Sequence, residues 1–176
     1  MAKSPKRKEY LNEYKQDENG SFSYSGKYYR LYGDAGEVRK IKIILILGVI
    51  AMAAPIVGSG CIDAAGATGA YYVVIPMIGE FITLFVIGWN VVKLLAQGEK
   101  VKGYVLDQVE SKVPPACIML MAFAIAGACF AALYITFNGF GGKPIKCFLY
   151  LILKIATACI AFLFKKYYNN LDWRIV

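Results

Sequence analysis

The sequence contains no histidine. That removes the side chain that most often serves as a general base near neutral pH, and with it the commonest nitrogen ligand for metals. The five cysteines include no Cys-x-x-Cys pair, and no Gly-rich phosphate loop of the P-loop or dinucleotide type occurs. A zinc centre, a nucleotide-hydrolysing core and a His-based hydrolase are excluded. No metal or cofactor is expected, and an enzyme is not expected. Charge is also scarce, at 18% of the 176 residues against roughly 25% in ordinary soluble domains. It is missing altogether between Lys42 and Asp63, and again from Val113 to Gly142.

What fills those stretches is apolar. The chain is 58% hydrophobic, gathered into four runs at about 43–62, 71–92, 114–137 and 145–164. Twenty residues at about 1.5 Å each cross a hydrocarbon core of roughly 30 Å, and continuous apolar character excludes the alternation of barrel strands. The expected fold is therefore an all-α integral membrane protein with four transmembrane helices over residues 35–168. A polar and aromatic segment, 1–34, precedes them, and a short tail, 169–176, follows. Helix-end signals agree. Asp34-Ala35-Gly36-Glu37 has capping-box spacing, Pro114-Pro115 and Pro144 suit helix starts, and Asn138-Gly139 with Gly141-Gly142 forms a turn.

The net charge of +8 is a matter of topology. Seventeen of the twenty Lys and Arg flank the spans on one side and two on the other, which by the positive-inside rule puts both termini in the cytoplasm of a plasma-membrane protein. A poor lipoprotein-like box at Val57–Cys61 follows too long a polar leader to be a cleavage signal.

In the N-terminal segment, residues 1–20 are mixed in charge and expected to be disordered or frayed. Phe22, Tyr24, Tyr28 and Tyr32 fall on even positions around Ser25-Gly26, which reads as a hairpin or an irregular aromatic segment. A lone hairpin needs a surface: the membrane interface, the second connection between spans, or a partner. Nucleic acid is not expected as a partner, because six acidic residues interrupt the ten basic ones before the first span. In the second connection, Val101, Val105 and Val109 suggest a short amphipathic surface helix, weakened by Gly103.

Two residues stand out within the spans. Glu80 and Lys154 each lie nine residues past the start of a run, on spans of the same direction, so their depths match. An intramembrane charge costs roughly 2.5–3.5 kcal/mol on insertion scales and is normally paired or functional. Either the two form an ion pair that clamps the assembly, or Glu80 is a coupling carboxylate. Pro55 and Pro76 bend spans one and two, and Pro76 lies one turn before Glu80, as broken helices do at transporter sites. The small residues Ala124, Ala128 and Ala132, beside Gly127 and Ala131, with Ala54 and Gly58 on span one, form close-packing rows for a homodimer or for the bundle itself. Cys61 and Cys147 match in depth, which allows a disulfide.

Two functions fit. The first is a non-catalytic accessory or assembly subunit that binds the lipid bilayer and another membrane protein, or itself. The second is a small oligomeric proton- or cation-coupled transporter using Glu80.

Overall fold

The structure, a computed structural model, describes residues 14–16 and 22–176. Four long helices dominate it: α1 (Ala35–Cys61), α2 (Tyr71–Ala96), α3 (Gly103–Asn138) and α4 (Pro144–Asn169). All four are long and apolar enough to cross a membrane, which marks a multi-pass membrane protein. Principal contacts run α1–α2, α2–α3, α3–α4 and α4–α1, so the bundle is a ring in chain order. Short connections make ring neighbours antiparallel. The two diagonal helices α2 and α4 therefore run in the same direction.

The helix starts follow from local chemistry. At α1 the Asp34 N–H donates to the Glu37 carboxylate at 3.3 Å, one half of the expected capping box. Pro144 occupies the first turn of α4, where a missing N–H costs nothing. The third helix differs from expectation. It begins at Gly103, not at Pro114-Pro115, and absorbs the stretch read as a separate surface helix. Tertiary packing overrides the two prolines. Val105, Leu106, Val109 and Val113 are buried in one cluster with Leu94, Leu120, Phe164 and Tyr168. Burial of that many large side chains outweighs the two backbone hydrogen bonds that the proline rings delete.

The structure is mostly helical, but five short strands occur among the described residues: β1 (Tyr14–Gln16), β2 (Phe22–Tyr24), β3 (Tyr28–Leu31), β4 (Val101–Lys102) and β5 (Trp173–Ile175). The hairpin expected around Ser25-Gly26 does not form. β2 pairs backward with β1, and β3 joins a three-stranded antiparallel sheet in the order β4-β3-β5. Strand β3 thus rests on the second connection, one of the surfaces a lone hairpin needs, and also on the C-terminal tail. Gly103 explains the junction. Its N–H donates to the Lys27 carbonyl at 2.9 Å, and a Cβ there would stand 3.0 Å from that same oxygen. The glycine that weakens a helix is what lets α3 start against β3. Because β3 precedes α1 and β5 follows α4, both ends of the described chain meet at one end of the bundle. Most of residues 1–20 lie outside the described residues.

At the opposite end, the α1–α2 connection and the α3–α4 turn dock on each other. Asp63 accepts from the Gly66 N–H at 2.9 Å and from Lys143 Nζ at 2.7 Å. Ala64 and Ala67 bury completely beneath them. The Lys143 ammonium, and the Gly66 amide after it, hold the Asp63 carboxyl below its ordinary range. Cys61 and Cys147 are not bridged; all five cysteines are free, Cys61 exposed and Cys147 buried.

Candidate functional site

The helices are apolar outward and polar inward. Ile50, Ile75, Ile82, Phe85, Ile152 and Leu163 are each more than half exposed on the outer surface, while Ser59, Glu80, Thr83, Asn90, Lys154 and Thr157 are buried. In water this arrangement would be upside down; in lipid the outer faces need no cover. The inward stripes follow a 3-4 repeat. On α2 it passes through Val73, Pro76, Glu80, Thr83, Ile87, Asn90 and Leu94. On α4 it passes through Cys147, Tyr150, Lys154, Thr157, Ala161, Phe164 and Tyr168. Such spacing keeps one seam facing the bundle axis over its whole length.

Glu80 and Lys154 sit on those two seams, and the structure brings them together across the ring. Lys154 Nζ donates to Glu80 Oε1 at 2.9 Å and to Oε2 at 2.8 Å. Both side chains have 0% exposure. The pair does not join ring neighbours; it spans the diagonal from α2 to α4. Helix α3 packs against the pair at Gly127, where even an added Cβ would make only ordinary van der Waals contacts. A Cβ on Gly127 would stand 3.5 Å from Glu80 Oε1, 3.7 Å from Lys154 Cε and 3.7 Å from Pro76 Cβ. The Tyr150 ring completes the enclosure, with Lys154 Nζ 5.2 Å from its centroid. An ammonium held by both oxygens of one carboxylate and backed by an aromatic face has little capacity left for another ligand.

The other buried polar groups bond to their own helices. Ser59 donates to the Ile56 carbonyl at 2.8 Å, Thr157 to Leu153 at 3.0 Å and Asn90 to Val86 at 2.7 Å. Thr83 donates to Gly79. This is how isolated polar side chains are accommodated where water is absent. Asn90 Oδ1 and the Tyr150 and Tyr168 hydroxyls have no hydrogen-bond partner among the described residues. No group of three or more metal-ligating side chains occurs among the described residues.

The remaining sequence candidates fall elsewhere. Pro76 lies beside the pair, whereas Pro55 is buried in α1, and both helices continue through their prolines. Tyr24, Tyr28 and Tyr32 stand at the sheet end. Tyr24 meets Tyr28 and Tyr104 edge-on, with centroids 5.1 and 5.7 Å away, and the guanidinium of Arg174 lies 3.4 Å from the centroid of Tyr32. Phe22 faces Gln16 in the β1–β2 ladder; its side chain lies outside the described residues. The alanine row is split. Ala124 is buried, but Ala128 and Ala132 are only half-buried, and the true contact stripe of α3 is Leu120, Ala124, Gly127, Ala131 and Ile135. Ala54 is exposed and Gly58 approaches Leu153 of α4, with an added Cβ 3.4 Å away.

Gly127 and Ala131, read as flanking the alanine row, are themselves on the buried stripe. The usable signal was the spacing of the polar residues. Glu80, Thr83 and Asn90, like Lys154 and Thr157, share one stripe, and in a helix apolar all round only the polar positions mark the inside. Comparison with protein-family models, with curated proteins and with solved structures found no match.

Proposed function

We propose that this protein is a non-catalytic subunit that works by assembling with another membrane protein. The observation that carries this reading is the Glu80–Lys154 pair. Its two charges satisfy one another with no exposure, so Glu80 serves as a tie across the bundle and not as a proton or cation acceptor. The self-bonded Ser59, Thr83, Asn90 and Thr157 support the same reading. A transport path requires polar groups that turn toward one another or toward water, and these turn toward their own helices. The outer faces, apolar on all four helices, are available to a membrane partner as well as to lipid.

The sheet end carries most of the Lys and Arg, and we place it in the cytoplasm of a plasma membrane. There the outer edge of β5, where Arg174 and Ile175 are exposed, offers contacts to a partner's aqueous portion.

The experiment is purification in mild detergent followed by mass spectrometry of co-purifying chains. A stoichiometric membrane partner is expected. The competing reading is a small oligomeric transporter using Glu80, favoured by Pro76 and Gly127 at the pair. It would show as a self-associated protein with pH-dependent uptake in liposomes that Glu80→Gln abolishes while assembly persists. That outcome would overturn the assembly reading.

A further inference from the structure

Among the described residues the backbone of β5 is bonded on one side only. The Tyr32 N–H donates to the Asp172 carbonyl at 3.0 Å, the Val176 N–H donates to the Tyr28 carbonyl at 2.9 Å, and Arg174 faces Arg30 between them. In an antiparallel ladder, residues whose N–H and C=O face the neighbouring strand alternate with residues whose groups face away. Asp172, Arg174 and Val176 therefore turn their backbone toward β3, and Trp173 and Ile175 turn theirs outward. Neither of these two has a backbone partner among the described residues. The opposite edge of the sheet is different, because β4 is only two residues long and runs straight into α3.

The edge of β5 lacks the usual protection. Strand edges are kept single by proline, lysine, bulges or a covering element. From Trp173 to Val176 there is neither proline nor lysine. The one charge, Arg174, is drawn back across the sheet. Its guanidinium stacks on Tyr32 beside β3, 3.4 Å from the ring centroid, and donates to Asp172. The edge is also firmly held. Trp173 is the register partner of Leu31, which is buried, and Trp173 itself packs against the bundle core. A buried inner face fixes the register of a sheet. Ile175 shares that inner face as the register partner of Tyr29, yet it is 62% exposed, because the sheet ends there.

We propose that the outer edge of β5 accepts an extended segment of the membrane partner as a fourth, antiparallel strand. Trp173 and Ile175 each present one N–H donor and one carbonyl acceptor, about 7 Å apart along the strand. Another extended backbone matches that pattern in full, as in strand addition to an open sheet edge. Its alternate side chains would cover Ile175 on the inner face, so apolar residues are expected there. A second copy of this chain is the poorer occupant. Two β5 strands that bond all their outward groups must pair Trp173 with Ile175 in both directions. That register sets Arg174 against its own counterpart in the closely spaced position, where like charges destabilise a sheet. A different chain needs only a residue without positive charge at that point. This inference rests on the assembly reading and specifies how the partner is held.

The test uses the full chain in its native membrane, with a photoreactive benzoylphenylalanine replacing Ile175, and three variants purified in mild detergent. The crosslink is expected to fall within one short segment of the stoichiometric partner, mapped by mass spectrometry of the digest. Ile175→Pro removes an outward N–H and leaves the bonds to β3 in place. It is expected to cut partner recovery by about tenfold with an unchanged thermal midpoint. Ile175→Ala keeps the N–H and most of the recovery. Arg174→Pro deletes an inward N–H and is expected to lower the midpoint, which checks the alternation itself. Equal recovery from wild type and Ile175→Pro, or no crosslink to a partner that does co-purify, overturns strand addition and leaves the assembly reading standing. A crosslink between two copies of this chain overturns it in favour of self-pairing. A midpoint that falls as far in Ile175→Pro as in Arg174→Pro overturns it too, since the edge would then be in use within the bundle. Absence of any stoichiometric partner overturns both readings.

Discussion

Two ion pairs of nearly equal length sit in opposite settings. Lys154 and Glu80 meet at 2.8 Å in the bundle centre with both side chains fully buried. Lys143 and Asp63 meet at 2.7 Å on the loops at one end, with side chains 44% and 52% exposed. Distance does not separate them; the surrounding medium does. Water already solvates Lys143 and Asp63, so either can lose its partner cheaply. Glu80 and Lys154 have no such reserve, and each one is tolerable only because the other is there. The inner pair therefore ties α2 to α4, and the outer pair mainly orders a turn.

The sharpest way to break that contrast is to remove one inner charge. Glu80→Gln or Lys154→Met is expected to destabilise the bundle by about 3–5 kcal/mol, read as a fall in the thermal midpoint in detergent. The double change Glu80→Leu with Lys154→Met is expected to recover most of the loss or to exceed wild type, by up to about 4 kcal/mol. Single variants as stable as the wild type would show that the pair ties nothing.

A smaller effect sharpens the role of the space around the pair. A Cβ on Gly79 would come within 2.8 Å of the Phe123 ring, whereas one on Gly127 meets its neighbours at 3.5 Å or more. Gly79→Ala is expected to cost about 1–3 kcal/mol and Gly127→Ala to be near neutral. Thermal midpoints of the two alanine variants decide it, and equal losses would mean that α3 lies closer to the pair than the structure has it.

The smallest effect belongs to the outer pair. Asp63→Asn is expected to leave the midpoint almost unchanged, with what little shift there is vanishing in high salt. The pH dependence follows from the depressed carboxyl. With its folded-state pKa below the ordinary 3.8, Asp63 contributes stability above that value and loses it as the pH falls through the lower one. A stability step attributable to Asp63 between pH 5 and 8, seen by comparing wild type with Asp63→Asn, would contradict this.

The limits of sequence reasoning show at particular residues. The four apolar runs and the Asp34–Glu37 start of α1 were legible because length and capping are local properties. The helical character of the stretch before Pro114 was legible too, but its continuation through Pro114-Pro115 into one helix was not, since that depends on Val105, Leu106 and Val109 packing against Leu94 and Tyr168. The strand pairing was not legible either. Tyr28 and Tyr29 find their partners at Lys102 and Val101, and Tyr29 again at Ile175, and no local pattern encodes partners that far along the chain. Matching depths made contact between Glu80 and Lys154 plausible, but the same depths fit adjacent or diagonal helices equally well.

Composition and periodicity alone determined that this chain forms four membrane-length helices with two ionisable residues inside them, because the cost of placing backbone and charge in lipid is paid residue by residue. Tertiary structure decided the rest: a diagonal Glu80–Lys154 tie packed against α3 at Gly127, and a three-stranded sheet gathering segments from the start, middle and end of the chain. Those depend on which surfaces meet, and that is a property of the whole packed chain and of no single segment.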